Sequence, residues 1–162
     1  TLHFMMKKIN ILLSIVVCVL LVLCVMSVYS PIRFEKQCAQ REASVKQRLM
    51  TIRAAAERYR HDHNAYTGQL RTLIDSGYMA DSTQYIPYSG GRRFHLEASA
   101  VTTKSGRTVP VMECSATYDK YLRGLDANSV HNMTADADAS GRFPGLKIGD
   151  LSTPNDNSGN WE

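Results

Sequence analysis

The sequence has no Gly-rich phosphate loop, no GxSxG elbow, no HExxH pair and no paired-cysteine metal motif. None of the marked nucleotide-binding, hydrolase or zinc classes is therefore indicated. Its four cysteines are too scattered for a disulfide framework. Cys18 and Cys24 fall inside an apolar run and suit small packing residues there. Cys38 and Cys114 lie outside it, either as two separate thiols or, in an oxidising compartment, as a bonded pair. Internal repeats and low-complexity tracts are absent, and there is a single tryptophan. The most consequential absence is of charge: residues 11–29 contain no Asp, Glu, Lys or Arg.

That stretch, ILLSIVVCVLLVLCVMSVY, is nineteen residues long. As a helix rising ~1.5 Å per residue it spans roughly 28 Å, close to the ~30 Å hydrocarbon core of a bilayer. Thirteen of the nineteen are Leu, Ile or Val. At about −0.4 kcal/mol each they favour insertion by on the order of −5 kcal/mol. A helix can return the hydroxyls of Ser14 and Ser27 to its own carbonyls. Lys7 and Lys8 precede the run as in a secretory signal, but it exceeds a signal's apolar region and no small-x-small cleavage site follows. The reading is an uncleaved signal anchor. Residues 1–4, ahead of Met5 and Met6, are given no role.

The expected fold class is α+β: a transmembrane helix continuing into a long amphipathic helix packed on a small antiparallel sheet of about three strands. The divisions are a short cytoplasmic tail (1–10), the transmembrane helix (11–30), the amphipathic helix (31–66), a short helix plus sheet (67–124) and an irregular C-terminal segment with a short helix (125–162). Pro31 marks the membrane exit, where it would kink or interrupt the helix. Beyond it, Cys38, Val45, Ile52, Tyr59 and Tyr66 recur at seven-residue steps, joined by Leu49, Ala56 and His63. Val45, Leu49, Ile52, Ala56 and Tyr59 form the predicted packing and partner seam. Thr67 would cap a short helix from Gly68, and Gly77 suits its left-handed stop.

Strands are expected over 84–88, 93–101 and 108–114, with turns at Ser89-Gly90-Gly91 and at 104–107. Pro87 and Pro110 lack ladder donors, which predicts that their strands are edges and the 93–101 strand is central. A helix is expected over 126–135 with Val130 and Met133 facing inward, and Trp161 should dock the tail.

The net charge of +4 is uneven. Residues 31–63 hold eight Lys/Arg and four Asp/Glu, whereas residues 125–162 hold two and six. A basic front and an acidic end favour docking within the molecule or between copies, with no nucleic-acid partner expected; ordinary solvated surface is the alternative. His61 and His63 are two apart and point to different sides of a helix, so a shared metal is not expected. Thr117-x-x-Lys120 lacks companion motifs and reads as a turn. Arg92-Arg93 beside a turn suits an acidic partner or a phosphate, or simply a solubilising edge. Asp150, Asn155 and Asp156 are oxygen donors of the kind calcium favours, or simply a polar loop. No catalytic residue is assigned; the chain is read as a non-enzyme.

Two segments carry a resemblance. Ile52-Arg53-Ala54-Ala55-Ala56-Glu57-Arg58-Tyr59-Arg60-His61-Asp62-His63-Asn64-Ala65-Tyr66 resembles the "LRxAlexYrxdhgxYP" of pseudopilins of the type II secretion and type IV pilus class, with Thr67 in place of the proline. Leu70, Leu73, Gly77, Tyr78 and Met79 follow that family's "xxLxxLxxxGYL", and Ser158-Gly159-Asn160-Trp161-Glu162 is similar to its "DIGNW" ending. The stretches Tyr85-Ile86-Pro87-Tyr88, Pro110-Val111-Met112-Glu113 and Gly145-Leu146-Lys147-Ile148-Gly149 look more like uncharacterised single-span envelope proteins of Gram-negative bacteria. The resemblance implies a pilin-like fold, an inner-membrane anchor with a periplasmic C-terminal domain, partners among envelope-assembly proteins or further copies, and a calcium ion in the loop before the "GNW"; charge alone leaves the orientation open, since a literal positive-inside count of the cations after the span favours a cytoplasmic domain. A membrane-anchored binding or adaptor protein outside any filament is the alternative.

Overall fold

The structure is a computed structural model that describes residues 2–162, with side chains from Met6 onward; Thr1 lies outside the described residues. The chain forms two compact units, Thr1–Gln37 and Cys38–Glu162. Helix α1 (Leu2–His63) supplies the described part of the first unit and the opening segment of the second.

In the first unit the large apolar side chains of residues 6–32 are exposed, and the most apolar window has a mean hydropathy of 3.2 with none of it buried. A soluble protein does not leave so long an apolar surface bare, so this helix fits a transmembrane or signal-anchor segment. Ser14 Oγ donates to the Asn10 carbonyl at 2.9 Å, which satisfies the hydroxyl inside the helix. Pro31 lies within α1 and does not interrupt it. One missing N–H is a cost a long helix absorbs.

The second unit adds α2 (Leu70–Asp75), a 3₁₀ turn (Asp81–Gln84), β1 (His95–Thr102), β2 (Thr108–Thr117), α3 (Tyr118–Tyr121), α4 (Ala127–Ala139) and β3 (Gly145–Gly149). The sheet is antiparallel in the order β1-β2-β3. Leu96, Cys114 and Ile148 lie abreast across it, flanked by the pairs Ala98–Met112 and Ala116–Leu146. Nearly all of these are buried, as are Val45, Leu49, Ile52, Ala55 and Ala56 on α1. The helix stripe and this sheet face together supply the core.

Three expectations are corrected. Residues 84–88 form no strand; their pairing with 92–94 shrinks to one bridge, Tyr85 with Arg93. The Ser89 hydroxyl donates to the Ile86 carbonyl at 2.7 Å and accepts from the Arg92 N–H at 3.0 Å, curling the chain before a ladder can extend. The third strand is instead β3, drawn from the segment expected to be irregular. The proline-bearing β2 is therefore central and the proline-free β1 an edge. Pro110 pairs with Ala100 of β1, while β3 reaches only residues 113–117. Pro110 thus sits where β2 has a neighbour on one side only, so the edge rule holds for the position although not for the strand.

Helix ends follow local chemistry. Gly77 (φ 77°) closes α2: its N–H donates to the Ile74 carbonyl and the Tyr78 N–H to the Leu73 carbonyl, both at 2.9 Å. This is a left-handed helix stop with two reversed bonds. At the other end Gln69, not Thr67, occupies the cap, and the Thr67 hydroxyl, two residues too early, accepts from the Gln69 N–H at 3.2 Å. Helix α4 begins at the Asp126 cap, whose carboxylate accepts from the Ser129 N–H at 2.8 Å. Ala137 is its buried residue; Val130 and Met133 are half-buried.

Candidate functional site

The C-terminal tail lies along β3 and ties itself to α1. Gly149 N–H donates to the Ser158 carbonyl at 3.0 Å, Gly159 bridges Ile148, and Asn160 N–H donates to the Lys147 carbonyl at 3.0 Å. The Asn160 amide completes the pairing, accepting from the Lys147 N–H (3.1 Å) and donating to the Gly145 carbonyl (3.0 Å). A Cβ on Gly159 would lie 2.6 Å from the Trp161 ring, so the ring rests on that glycine, with Lys46 Nζ 5.6 Å from its centre. Each residue of the Gly159-Asn160-Trp161 ending thus has a separate structural task.

From α1, Arg53 reaches across with its whole guanidinium. Nε meets Glu57 Oε1 at 3.2 Å, Nη1 meets Glu162 Oε1 at 3.4 Å, and Nη2 donates to the Asp156 carbonyl at 2.9 Å. Asn157 is buried in the left-handed region (φ 55°), which Asn tolerates better than most residues. Its amide donates to the Tyr66 hydroxyl at 2.7 Å and to Glu57 at 3.4 Å. Residues 52–66 and the tail 156–162 are therefore tied together through Arg53, Glu57 and Tyr66 on one side and Asp156, Asn157 and Glu162 on the other. Tyr66→Phe should cost about 1 kcal/mol, one hydrogen bond to a buried amide. Asn157→Ala should cost roughly 2–3 kcal/mol, because it also strands the Tyr66 hydroxyl and strains the left-handed backbone. Thermal unfolding of the full chain in detergent reads both.

The predicted seam is split by exposure. Val45, Leu49, Ile52 and Ala56 are buried. Tyr59 is half-buried, its ring stacked 4.1 Å from His63 and edge-on to Tyr78 at 5.6 Å. Tyr78 in turn donates to Asp62 Oδ2 at 2.6 Å, and this bond holds the Asp62 carboxyl below its ordinary range. His61 turns to Asp62 (3.1 Å) and His63 to the Tyr59 carbonyl (3.0 Å), so the two imidazoles serve different partners.

The oxygen-rich loop is occupied by its own backbone. Asp150 Oδ1 accepts from the N–H groups of Ser152 (2.7 Å) and Thr153 (3.1 Å) and from the Ser152 hydroxyl, and Lys147 Nζ stands 3.9 Å from Oδ2. The Ser152 bonds above all pull its carboxyl down to about 2. Asp156 gives its carbonyl to Arg53, and the Asn155 carbonyl accepts from the Ser158 N–H (3.0 Å) and hydroxyl (2.8 Å). No group of three or more His, Cys, Asp or Glu among the described residues is arranged to hold a metal. Because folding depresses the Asp150 pKa, its contribution to stability is present above the ordinary carboxylate range and is lost as pH falls toward about 2. Asp150→Asn should keep the turn and flatten that acid limb of the melting-temperature profile.

The remaining candidates are also engaged. Thr117 donates its hydroxyl to Asp119, Arg92 pairs with Asp119 at 3.3 Å, and Arg93 lies 5.8 Å over the Tyr85 ring. Cys114 carries a free thiol, so no bond joins it to Cys38, and burial pushes its pKa far up, away from nucleophilic use. A polar cleft of about 550 Å³ lies beside Arg48, Thr51, Ser82 and Tyr88. Its Thr51 hydroxyl is returned to the Gln47 carbonyl (3.1 Å), and Arg48 is held by the Ser82 carbonyl.

Sequence reasoning missed the arginines that fasten α1 to loop carbonyls. Arg41 Nη1 donates to the carbonyls of Tyr121 (3.0 Å) and Arg123 (2.8 Å), and Arg58 Nη2 to that of Tyr78 (2.7 Å). The only sequence signal was their excess on the helix. Compared with known protein families, curated proteins and solved structures, the chain matches none.

Proposed function

We propose that this chain is a non-catalytic, membrane-anchored, pseudopilin-like structural component of a bacterial envelope assembly, anchored in the inner membrane with a periplasmic C-terminal domain. The observation that carries the reading is the tie between 52–66 and the tail: Arg53 Nη1 meets Glu162 Oε1 of the Ser158-Gly159-Asn160-Trp161-Glu162 ending at 3.4 Å, while Arg53 and Tyr66 also hold the Asp156 carbonyl and the Asn157 amide just before it. Such a tie gives those motifs a scaffolding purpose. The bare apolar helix of the first unit supports anchoring, and the α+β arrangement is compatible with a pilin-like domain. Partners would be other envelope-assembly proteins or further copies.

A second reading, an anchored adaptor that never enters a filament, is favoured by one feature. Pseudopilins carry Gly or Ala followed by Phe at a peptidase site, then an early glutamate; Lys8-Ile9-Asn10-Ile11-Leu12-Leu13-Ser14-Ile15 has none of these. Mass spectrometry of the N terminus from envelope membranes separates the two. A processed, methylated N terminus is the filament outcome and an unprocessed one the adaptor outcome. A soluble product lacking residues 11–29 would overturn both.

A further inference from the structure

Eight Lys/Arg residues lie between positions 31 and 63, and six of them are engaged within the protein. Arg41 and Arg58 hold loop carbonyls, Arg48 holds Ser82 and Arg53 holds the tail. Lys46 lies over Trp161 and Arg60 over Tyr66. Arg33 and Lys36, both exposed, make no hydrogen bond, ion pair or ring contact among the described residues. They directly follow the bare apolar segment that ends at Ile32. With the exposed Tyr29 they stand at i, i+4 and i+7, so all three share one helix face. Glu35, the nearby carboxylate, is about 100° further round from Lys36 and about 200° from Arg33.

We propose that Tyr29, Arg33 and Lys36 form a docking face for anionic phospholipid headgroups at the C-terminal end of the membrane span. The proposal rests on the membrane-anchor reading and adds a lipid class to it. Helical side chains lean toward the N-terminus. On this side of the span that direction points the long Arg33 and Lys36 stems back toward the bilayer, where their heads meet the headgroup layer. Tyr29 to Lys36 covers about 10 Å along the axis, a little deeper than the ~5–7 Å headgroup layer of one leaflet. An aromatic ring at the hydrocarbon boundary with cations just beyond is the arrangement that favours a negatively charged surface.

The test places the full chain in phosphatidylcholine vesicles with spin-labelled phosphatidylglycerol or spin-labelled phosphatidylcholine and measures the motionally restricted lipid. Wild type should select phosphatidylglycerol, and Arg33→Gln with Lys36→Gln should lower that selectivity on the order of tenfold. Arg41→Gln, which alters a residue engaged within the domain, should leave it unchanged. The proposal is overturned if the double variant keeps the full preference, if embedded wild type shows none, or if only Lys7→Gln with Lys8→Gln removes it. Absence of restricted lipid with either label would overturn the anchor reading itself, and the headgroup face with it.

Discussion

Ile52→Asp should unfold the Cys38–Glu162 unit, whereas Met50→Asp, two residues away, should hardly change its melting temperature. Ile52 is fully buried and Met50 is 40% exposed on the same helix. A carboxylate at Ile52 either stays charged among Val45, Leu49 and the apolar sheet face or takes up a proton, and both cost free energy that no nearby donor offsets. The substitution also deletes a packed aliphatic side chain. The combined loss is on the order of 4–5 kcal/mol, comparable with the whole stability of a small domain. At Met50 the aspartate stays in water and the expected change is within about 0.5 kcal/mol. Circular dichroism of the full chain in detergent measures both. Equal melting of Ile52→Asp and wild type would show that this stripe is not the core's helix face.

What the sequence revealed and concealed follows from the range of the interactions. The apolar run, the seven-residue stripe and the Gly77 stop are set by neighbours within a turn or two, and each is visible as spacing. Strands β1 and β2 were placed because eight and ten residues suffice to show alternation around a hairpin turn. Strand β3 was not, because only Leu146 and Ile148 carry its period between two glycines that read as punctuation. Its partners are 28 to 36 residues back in β2 and 9 to 13 residues ahead in the tail. The Arg53–Asp156 and Tyr66–Asn157 bonds join residues 103 and 91 positions apart. No local pattern announces such a bond. The resemblance marked both segments as notable, but only the fold brings them together. The oxygen-rich loop is open in sequence for a different reason: calcium ligands and turn-forming residues have the same composition, and what the fold adds is the direction of the Asp150 carboxylate, turned to the Ser152 and Thr153 N–H groups.

The same concealment makes Gly149→Ala the most informative single change outside the core. Gly149 has φ +74°, and a Cβ there would stand 2.0 Å from the Met112 carbonyl oxygen, a backbone atom that cannot swing aside. Gly106, in the β1–β2 turn, has nearly the same φ (+78°), but nothing lies within 4 Å of its Cβ position. Gly106→Ala therefore reads the left-handed backbone cost alone, about 1–2 kcal/mol. Gly149→Ala adds the collision, which β3 can relieve only by separating from β2 at the Glu113–Gly149 pair and from the tail at the Gly149–Ser158 bond. The expected loss is roughly 3–5 kcal/mol, within the range of severe single substitutions. It should be accompanied by faster amide exchange at Lys147 and Asn160, whose N–H groups are held by the same tail pairing. Equal melting of the two glycine variants would mean that β3 is free to shift against β2 and the tail.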